Sequence, residues 1–318
     1  MTIFGNNNLH ISRNAKTDEF YTQISFIEKE LKHYKSYFEG KAVFCNCDDP
    51  EYSNFWRYFQ MNFYHLGLKK LITTHYEIDK QSYKMEIVAK EDKKTGQVGL
   101  PDYIKTTLKQ NGDFRSPECI EILKEADVIV TNPPFSLFRE YIGQLIEYNK
   151  DFIVVGNQNA ITYREILPLI IDNQIWLGYN SGHFWFRVPD YYEEKKTDFK
   201  IDENGTKWRR MGNICWFTNI DIEKRHEDMV LFKHYNPEEY PKYDNYDAIE
   251  VNRTANIPCD YYGVMGVPIT FMDKYNPEQF EILGDSRYHD GQDFSDDINV
   301  IKGKTLYRRL LIRRKNKD

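Results

Sequence analysis

The run Asp127-Val128-Ile129-Val130-Thr131 stops at Asn132-Pro133-Pro134-Phe135. Five residues of this kind read as a short buried strand. Proline fixes φ and removes the backbone donor, so the strand has to end there. The residue before a proline is driven toward extended geometry. Asn132 and the carbonyl of Pro133 are therefore held at a strand's carboxyl end, where open α/β sheets bind ligands. An amide oxygen beside a backbone carbonyl accepts both hydrogens of an exocyclic amine. Phe135 offers a ring on which a planar base stacks. Asn132, Pro133, Pro134 and Phe135 are thus the candidate catalytic residues, equipped to methylate an amine on a flat heterocycle such as N6 of adenine. Taken alone, an Asn-Pro-Pro turn also simply ends strands, so its neighbours have to carry part of the weight.

Those neighbours alternate. A helical pattern opens at Asp18, a candidate cap, and continues through Ile24, Ile27, Leu31 and Tyr34. Ala42 to Cys47 reads as the first buried strand, ended by Asp48-Asp49-Pro50. Ser53 to Leu66 has helical spacing, Leu68 to His75 is a second strand, and 84–110 reads as a charged excursion. Helices are expected at 117–125, Leu137 to Tyr148 and 161–172, with a strand at Asp151 to Gly156. Strand–helix alternation of this kind predicts an α/β fold with a doubly wound, Rossmann-like sheet. After about residue 174 the texture becomes β-rich, with strands expected at 175–179, 183–188, 213–218, 265–271 and 305–312. Residues 238–256 are polar and rich in tyrosine, as in an irregular loop. The expected organisation is a flexible N-terminus over 1–16, a catalytic core over 17–174, and remaining strands with recognition elements over 175–318.

Composition excludes several classes. No stretch approaches the roughly 20 apolar residues of a membrane-spanning helix. The N-terminus lacks the pattern of a secretory signal. Five cysteines without regular spacing fit a reduced, cytoplasmic protein. No His-Glu-x-x-His pair occurs, and Cys45 and Cys47 are too close for a zinc knuckle, so no metal is expected. The five Asp between 285 and 297 lack the spacing of a calcium loop. A net charge of −6 argues against a uniformly basic surface, but cations cluster locally. They gather at Lys90, Lys93 and Lys94, at Lys207, Arg209 and Arg210, and from Lys302 through Arg308, Arg309, Arg313 and Arg314 to Lys317. Lys207, Arg209 and Arg210 are the candidate DNA contacts.

A methyl donor with an amino-acid tail, a ribose and an adenine needs contacts at successive strand ends. Cys45, Asp48 and Asp49 close the first strand, beside the donor's amine and sulfonium. Glu77 follows the second, placed for ribose hydroxyls as in dinucleotide folds. Asp113 and Phe114 suit an adenine amine and an adenine face, and Asn132 comes last, beside the methyl group. Acidic residues at strand ends are often only caps or solvated turns; their order along the chain is what adds weight.

The segments Asp18 to Thr22, Phe44 to Pro50, Asn54-Phe55-Trp56, Gly112-Asp113-Phe114 and Asp127 to Phe138 resemble the EcoRI-type adenine-specific DNA methyltransferases. So do Tyr240 to Asp247 and Gly266 to Phe271, and the likeness runs from about residue 16 to 314. It implies S-adenosylmethionine as donor, N6 of adenine in duplex DNA as acceptor, and catalysis by Asn132, Pro133 and Phe135. It also implies that Phe20, Tyr21 and Thr22 hold the donor's methionine end. The usual partner is a restriction endonuclease acting on the same site, without a stable complex. The turn after the first strand has no glycine, unlike most methyltransferases, which leaves open whether Asp48 or Asp49 meets the donor. The other readings of the same turn are an RNA-base or protein-glutamine methyltransferase, or a DNA-binding protein that keeps the fold without catalysis.

Overall fold

Burial on both faces turns the short apolar runs into strands. The computed structural model describes residues 22–47, 49–76, 81–89, 100–289, 291–293 and 298–316. The expectations for the segment 1–16 and for Asp18, Phe20, Tyr21, Asp48, Glu77 and Lys90, Lys93 and Lys94 lie outside them. Nine strands share the larger sheet: Ala42–Cys45 (β1), Lys70–Thr74 (β2), Tyr83–Val88 (β3), Ile104–Thr107 (β4), Val128–Thr131 (β5), Asp151–Asn157 (β6), Trp176–Arg187 (β7), Phe199–Ile201 (β8) and Lys207–Thr218 (β9). Their order is β4-β3-β2-β1-β5-β6-β9-β7, with β8 paired to β9. The centre, β2-β1-β5-β6, is parallel. Antiparallel strands extend it on both sides, β3 and β4 beyond β2 and β9 beyond β6. β1 and β5 are buried along their whole lengths, as a strand covered by helices on both faces must be.

The helices are Ile24–Leu31 (α1), Asn54–Asn62 (α2), Pro117–Glu125 (α3), Phe138–Glu147 (α4) and Leu167–Ile171 (α5). In α4 the buried positions are Phe138, Tyr141, Ile142 and Leu145, a single apolar stripe at helical spacing. Ser53 caps α2 by accepting from the amides of Phe55 and Trp56. Ser116 caps α3, with Pro117 in the first turn where its missing N–H costs nothing. The stretch 161–172 is less helical than its periodicity predicts: a 3₁₀ turn covers Gln158–Thr162 and only Leu167–Ile171 is α-helical. No helix among the described residues is long and apolar enough to cross a membrane.

The expected charged excursion at 84–110 contains two strands. In β3, Tyr83, Met85 and Ile87 face inward while Lys84 and Glu86 are half-buried on the other face. Glu86 lies 3.1 Å from Lys84 and 3.4 Å from Lys70 of the neighbouring strand. A charged cross-strand pair made an amphipathic strand look like a loop.

The chain forms two compact units, residues 1–157 with 180–218 and residues 158–179 with 219–318. In the second, Ala248–Glu250 (β10), Val264–Val267 (β11), Phe280–Asp285 (β12), Tyr288–His289 (β13), Gln292–Asp293 (β14) and Leu310–Arg314 (β17) form a six-stranded sheet. Val300–Ile301 (β15) and Lys304–Thr305 (β16) form a separate pair. The run 265–271, expected as one strand, divides into β11 and a 3₁₀ helix over Ile269–Lys274, because Pro268 ends the ladder. The stretch 238–256 is also more ordered than its composition suggests. Tyr240 and Tyr243 are buried, and the Tyr243 hydroxyl donates to Glu250 at 2.6 Å. Arg309 donates twice to the other Glu250 oxygen, at 2.9 and 2.7 Å. Burial, with the Glu250 charge beside it, pushes the Tyr243 hydroxyl far up, so it remains a donor.

Candidate active site

β1 is followed in the chain by β2 on one side, and β5 then pairs with β1 on the other. The winding direction reverses between β1 and β5, and that reversal opens a crevice at their carboxyl ends. Short bonds fix its floor. The Cys47 amide donates to the Thr131 hydroxyl at 3.3 Å, and the Thr73 hydroxyl donates to the Cys45 carbonyl at 2.8 Å. The ends of β2, β1 and β5 are thereby held in one row.

Asn132 stands at the end of β5 and is 7% exposed. Pro133 is buried, and Pro134 and Phe135 are half-buried. The Pro134 carbonyl accepts from the Leu137 amide at 2.9 Å, closing a 3₁₀ turn over Phe135–Leu137 that leads into α4. Two fixed φ angles followed by a hydrogen-bonded turn leave little freedom at this corner.

α4 ties the corner to the other strand ends. The Tyr141 hydroxyl donates to the Asn46 side chain at the end of β1. The Tyr141 ring meets Phe114 edge-on, with centroids 5.1 Å apart, and Gln144 donates to the Phe114 carbonyl at 3.2 Å. Phe114 is buried. Asp113 beside it accepts from the Arg115 guanidinium at 2.8 and 2.6 Å. Burial acts to raise the Asp113 carboxyl pKa, but hydrogen bonds and charge from Arg115 outweigh it and hold the group below the usual range. Asp113 is therefore an anion already oriented by its neighbour.

Gly112 sets the approach of this segment. Its φ is +78°, and a Cβ there would collide with the His75 carbonyl oxygen just after β2. Gly112→Ala is expected to cost about 2–4 kcal/mol, from the left-handed backbone and the overlap together. Denaturant unfolding checks it, and wild-type stability in that variant would refute the close approach.

On the far side of β1, Asn54 donates to the Thr22 carbonyl at 2.7 Å, so the end of the N-terminal segment meets the start of α2. Asp49 turns the chain there, accepting from the Glu51 amide at 2.9 Å, and one of its oxygens lies 3.6 Å from His75 Nε2. The His75 ring stacks on Tyr83, centroids 4.7 Å apart and nearly parallel. Cys45 is fully buried.

The structure thus gathers Asn132, Pro133, Phe114 and Asp113 through α4, and Thr22, Cys45 and Asp49 around β1. Asn46, His75, Arg115 and Tyr141 were missed by sequence reasoning. Asn46 and His75 sit at strand ends, a signal that was available. Tyr141 resembled any apolar position of its stripe.

Lys207, Arg209 and Arg210 lie on β9, apart from those strand ends in the chain's order. Lys207 donates to the Tyr192 carbonyl at 3.0 Å, and Arg209 donates to the carbonyls of Thr197 and Asp198. Arg210 lies 3.7 Å from the Asp198 carboxylate. All three brace the loop between β7 and β8. The C-terminal arginines are also engaged within the chain: Arg308 with Asp285, Arg309 with Glu250 and Arg313 with Glu281, each at 2.7 Å.

A family model described as adenine-specific methyltransferase EcoRI matches residues 8–315. The chain is 48% identical to the Type II methyltransferase M.EcoRI of Escherichia coli, over 96% of both chains. It is 42% identical to the Type II methyltransferase M.MgeORF184P of Mycoplasma genitalium, over 86% of this chain and 84% of that one. Identity to M.MpnI of Mycoplasma pneumoniae is 36%, over 96% and 97%. No solved structure matches.

Proposed function

The chain belongs to the EcoRI family of adenine-specific methyltransferases and is a DNA adenine methyltransferase of the restriction-modification type, and from that premise we propose how its residues do the work. The methyl donor is S-adenosylmethionine, and the acceptor is N6 of an adenine flipped out of duplex DNA. The observation that supports this most is the Asn132-Pro133-Pro134-Phe135 corner at the reversal point between β1 and β5. The donor set there fits a nucleoside carrying an amino-acid tail. Asp49 and Asp113 are acceptors for amines and hydroxyls, and Phe114 brings an apolar ring. Thr22, with Phe20 and Tyr21 before it, holds the methionine end, and Cys45, Asp48 and Glu77 complete the cradle. When bound, the donor supplies a methyl group on a sulfonium, a leaving group good enough that no strong base is required.

Extruding the base costs a few kcal/mol, and stacking on Phe135 recovers part of it. The Asn132 side-chain oxygen and the Pro133 carbonyl accept the two N6 hydrogens. Pro134 keeps that pair rigid. The lone pair of N6 then points along the line of displacement. The rate comes from holding nitrogen and methyl in line rather than from proton abstraction. No metal takes part in the transfer.

Lys207, Arg209 and Arg210 contact the DNA through the loop they brace. Arg209→Ala is expected to weaken duplex binding and reduce the salt slope by about one unit. Binding measured across a salt series tests this, and an unchanged slope would remove Arg209 from the interface. The enzyme acts in the cytoplasm, alongside an endonuclease that cuts the same sequence when it is unmethylated.

The deciding experiment is methylation-aware sequencing of DNA from a methylation-free bacterial host expressing the chain. N6-methyladenine at one recurring short sequence is the expected result. A blank with donor-binding protein would move the substrate to RNA or protein, and a blank without donor binding would leave only a DNA-binding role.

A further inference from the structure

We propose that His234, Cys259 and Asp260, in the second unit, form a binding site for one borderline-soft divalent cation of the zinc class. Their Nδ1, Sγ and carboxylate oxygen atoms all lie within 4.8 Å of one another. Nδ1 is 3.7 Å from Sγ and 2.9 Å from Asp260 Oδ2. Around tetrahedral zinc, with bonds of about 2.0 Å to nitrogen or oxygen and about 2.3 Å to sulfur, neighbouring donors lie roughly 3.3–3.6 Å apart. The imidazole and thiol already have that spacing. The imidazole and carboxylate need to open by only about 0.4 Å as the metal replaces the proton they share.

The backbone holds the three donors side by side. Lys233 and Pro258 form a parallel bridge, and the Cys259 amide donates to the Lys233 carbonyl at 2.8 Å. The Tyr235 amide donates to Asp260 Oδ1 at 2.7 Å, which leaves Oδ2 directed at His234. The Arg314 guanidinium donates to the Cys259 carbonyl. Little ordering remains to be done on binding. Side-chain exposures of 78% for His234 and 46% for Asp260 leave the outer side open for water as a fourth ligand.

Ligand chemistry selects the metal. Calcium and magnesium take oxygen ligands, whereas thiolate with imidazole suits zinc and its transition-metal neighbours. One thiolate and one carboxylate balance the charge of a divalent ion. The thiol gives up its proton on binding, so affinity rises with pH. An exposed His–Asp pair alone is an ordinary surface hydrogen bond. The thiol at the third corner is what makes the set selective. The bound ion would staple the segment 233–235 to 258–260.

Zinc titration of the full-length protein against a chromophoric chelator tests the site, with Co²⁺ as a spectroscopic substitute. Wild type is expected to bind one equivalent, and His234→Ala and Cys259→Ser are expected to weaken it by about tenfold or more. Zinc should raise the wild-type melting temperature and not that of either variant. Cys47→Ser, at a half-buried thiol elsewhere, should bind as wild type does. If either variant fails to fold, the cobalt spectrum decides: a thiolate charge-transfer band in wild type that persists in Cys47→Ser supports the site, and its absence overturns it. Failure of wild type to bind at about 100 µM zinc, or equal binding by both site variants, overturns it as well.

Discussion

Asn132→Ala is expected to slow methyl transfer by about 10²–10³-fold, the loss seen when one preorganised polar group is removed from a reacting centre. Donor binding should stay within about twofold, because the carboxamide serves the acceptor nitrogen rather than the donor. The reason is geometric. Asn132 is 7% exposed at the end of β5, and the two prolines after it prevent the corner from relaxing toward a substitute acceptor. Asn132→Asp keeps an acceptor oxygen and should retain more turnover than the alanine variant. Single-turnover methylation of a duplex, with donor affinity measured separately, distinguishes the two effects. Full turnover in Asn132→Ala would remove this residue from the mechanism, and a parallel loss of donor affinity would make it a cofactor ligand instead.

Glu250→Ala should be the most damaging substitution in the second unit, destabilising it by about 3–5 kcal/mol. Glu250 is 8% exposed and its partner Arg309 13%. Removing the carboxylate leaves a mostly buried guanidinium without its anion and the Tyr243 hydroxyl without its acceptor. Few units have more than about 5–15 kcal/mol to lose. Replacing both charges, as in Glu250→Leu with Arg309→Met, should recover much of the loss, because no buried charge then remains. Hydrogen exchange in β10, β11 and β17 is the right readout, since a protein of two units need not unfold in one step. Unchanged protection there in Glu250→Ala would show that the pair is solvated. A double variant as unstable as the single one would show that Glu250 acts through packing alone.

The catalytic corner was legible because its chemistry is local. A strand halted by two prolines declares its own end, and α3 and α4 announce themselves by caps and apolar spacing. What was hidden depends on partners distant in the chain. Lys84 and Glu86 look like loop residues until Lys70 of the adjacent strand pairs with them. Arg308, Arg309 and Arg313 look like a solvated basic tail, yet each finds a carboxylate 23 to 59 positions away. Arg115 cannot be read as the partner of Asp113 from composition, because only the turn before α3 folds it back. Tyr240 and Tyr243 look like loop residues until burial shows them as core.

The antiparallel pairing of β6 with β9 constrains how the protein is made. Phe152 to Val155 are fully buried, and one edge of that strand is covered by residues that begin at Lys207. About fifty residues of chain must follow Asn157 before that cover exists, which at roughly 5–20 residues per second leaves the edge uncovered on the ribosome for about 3–10 seconds. An unpaired apolar edge is the surface on which nascent chains stick to one another. Slow codons placed between 158 and 206 should therefore reduce the soluble yield, whereas the same codons after 218 should not.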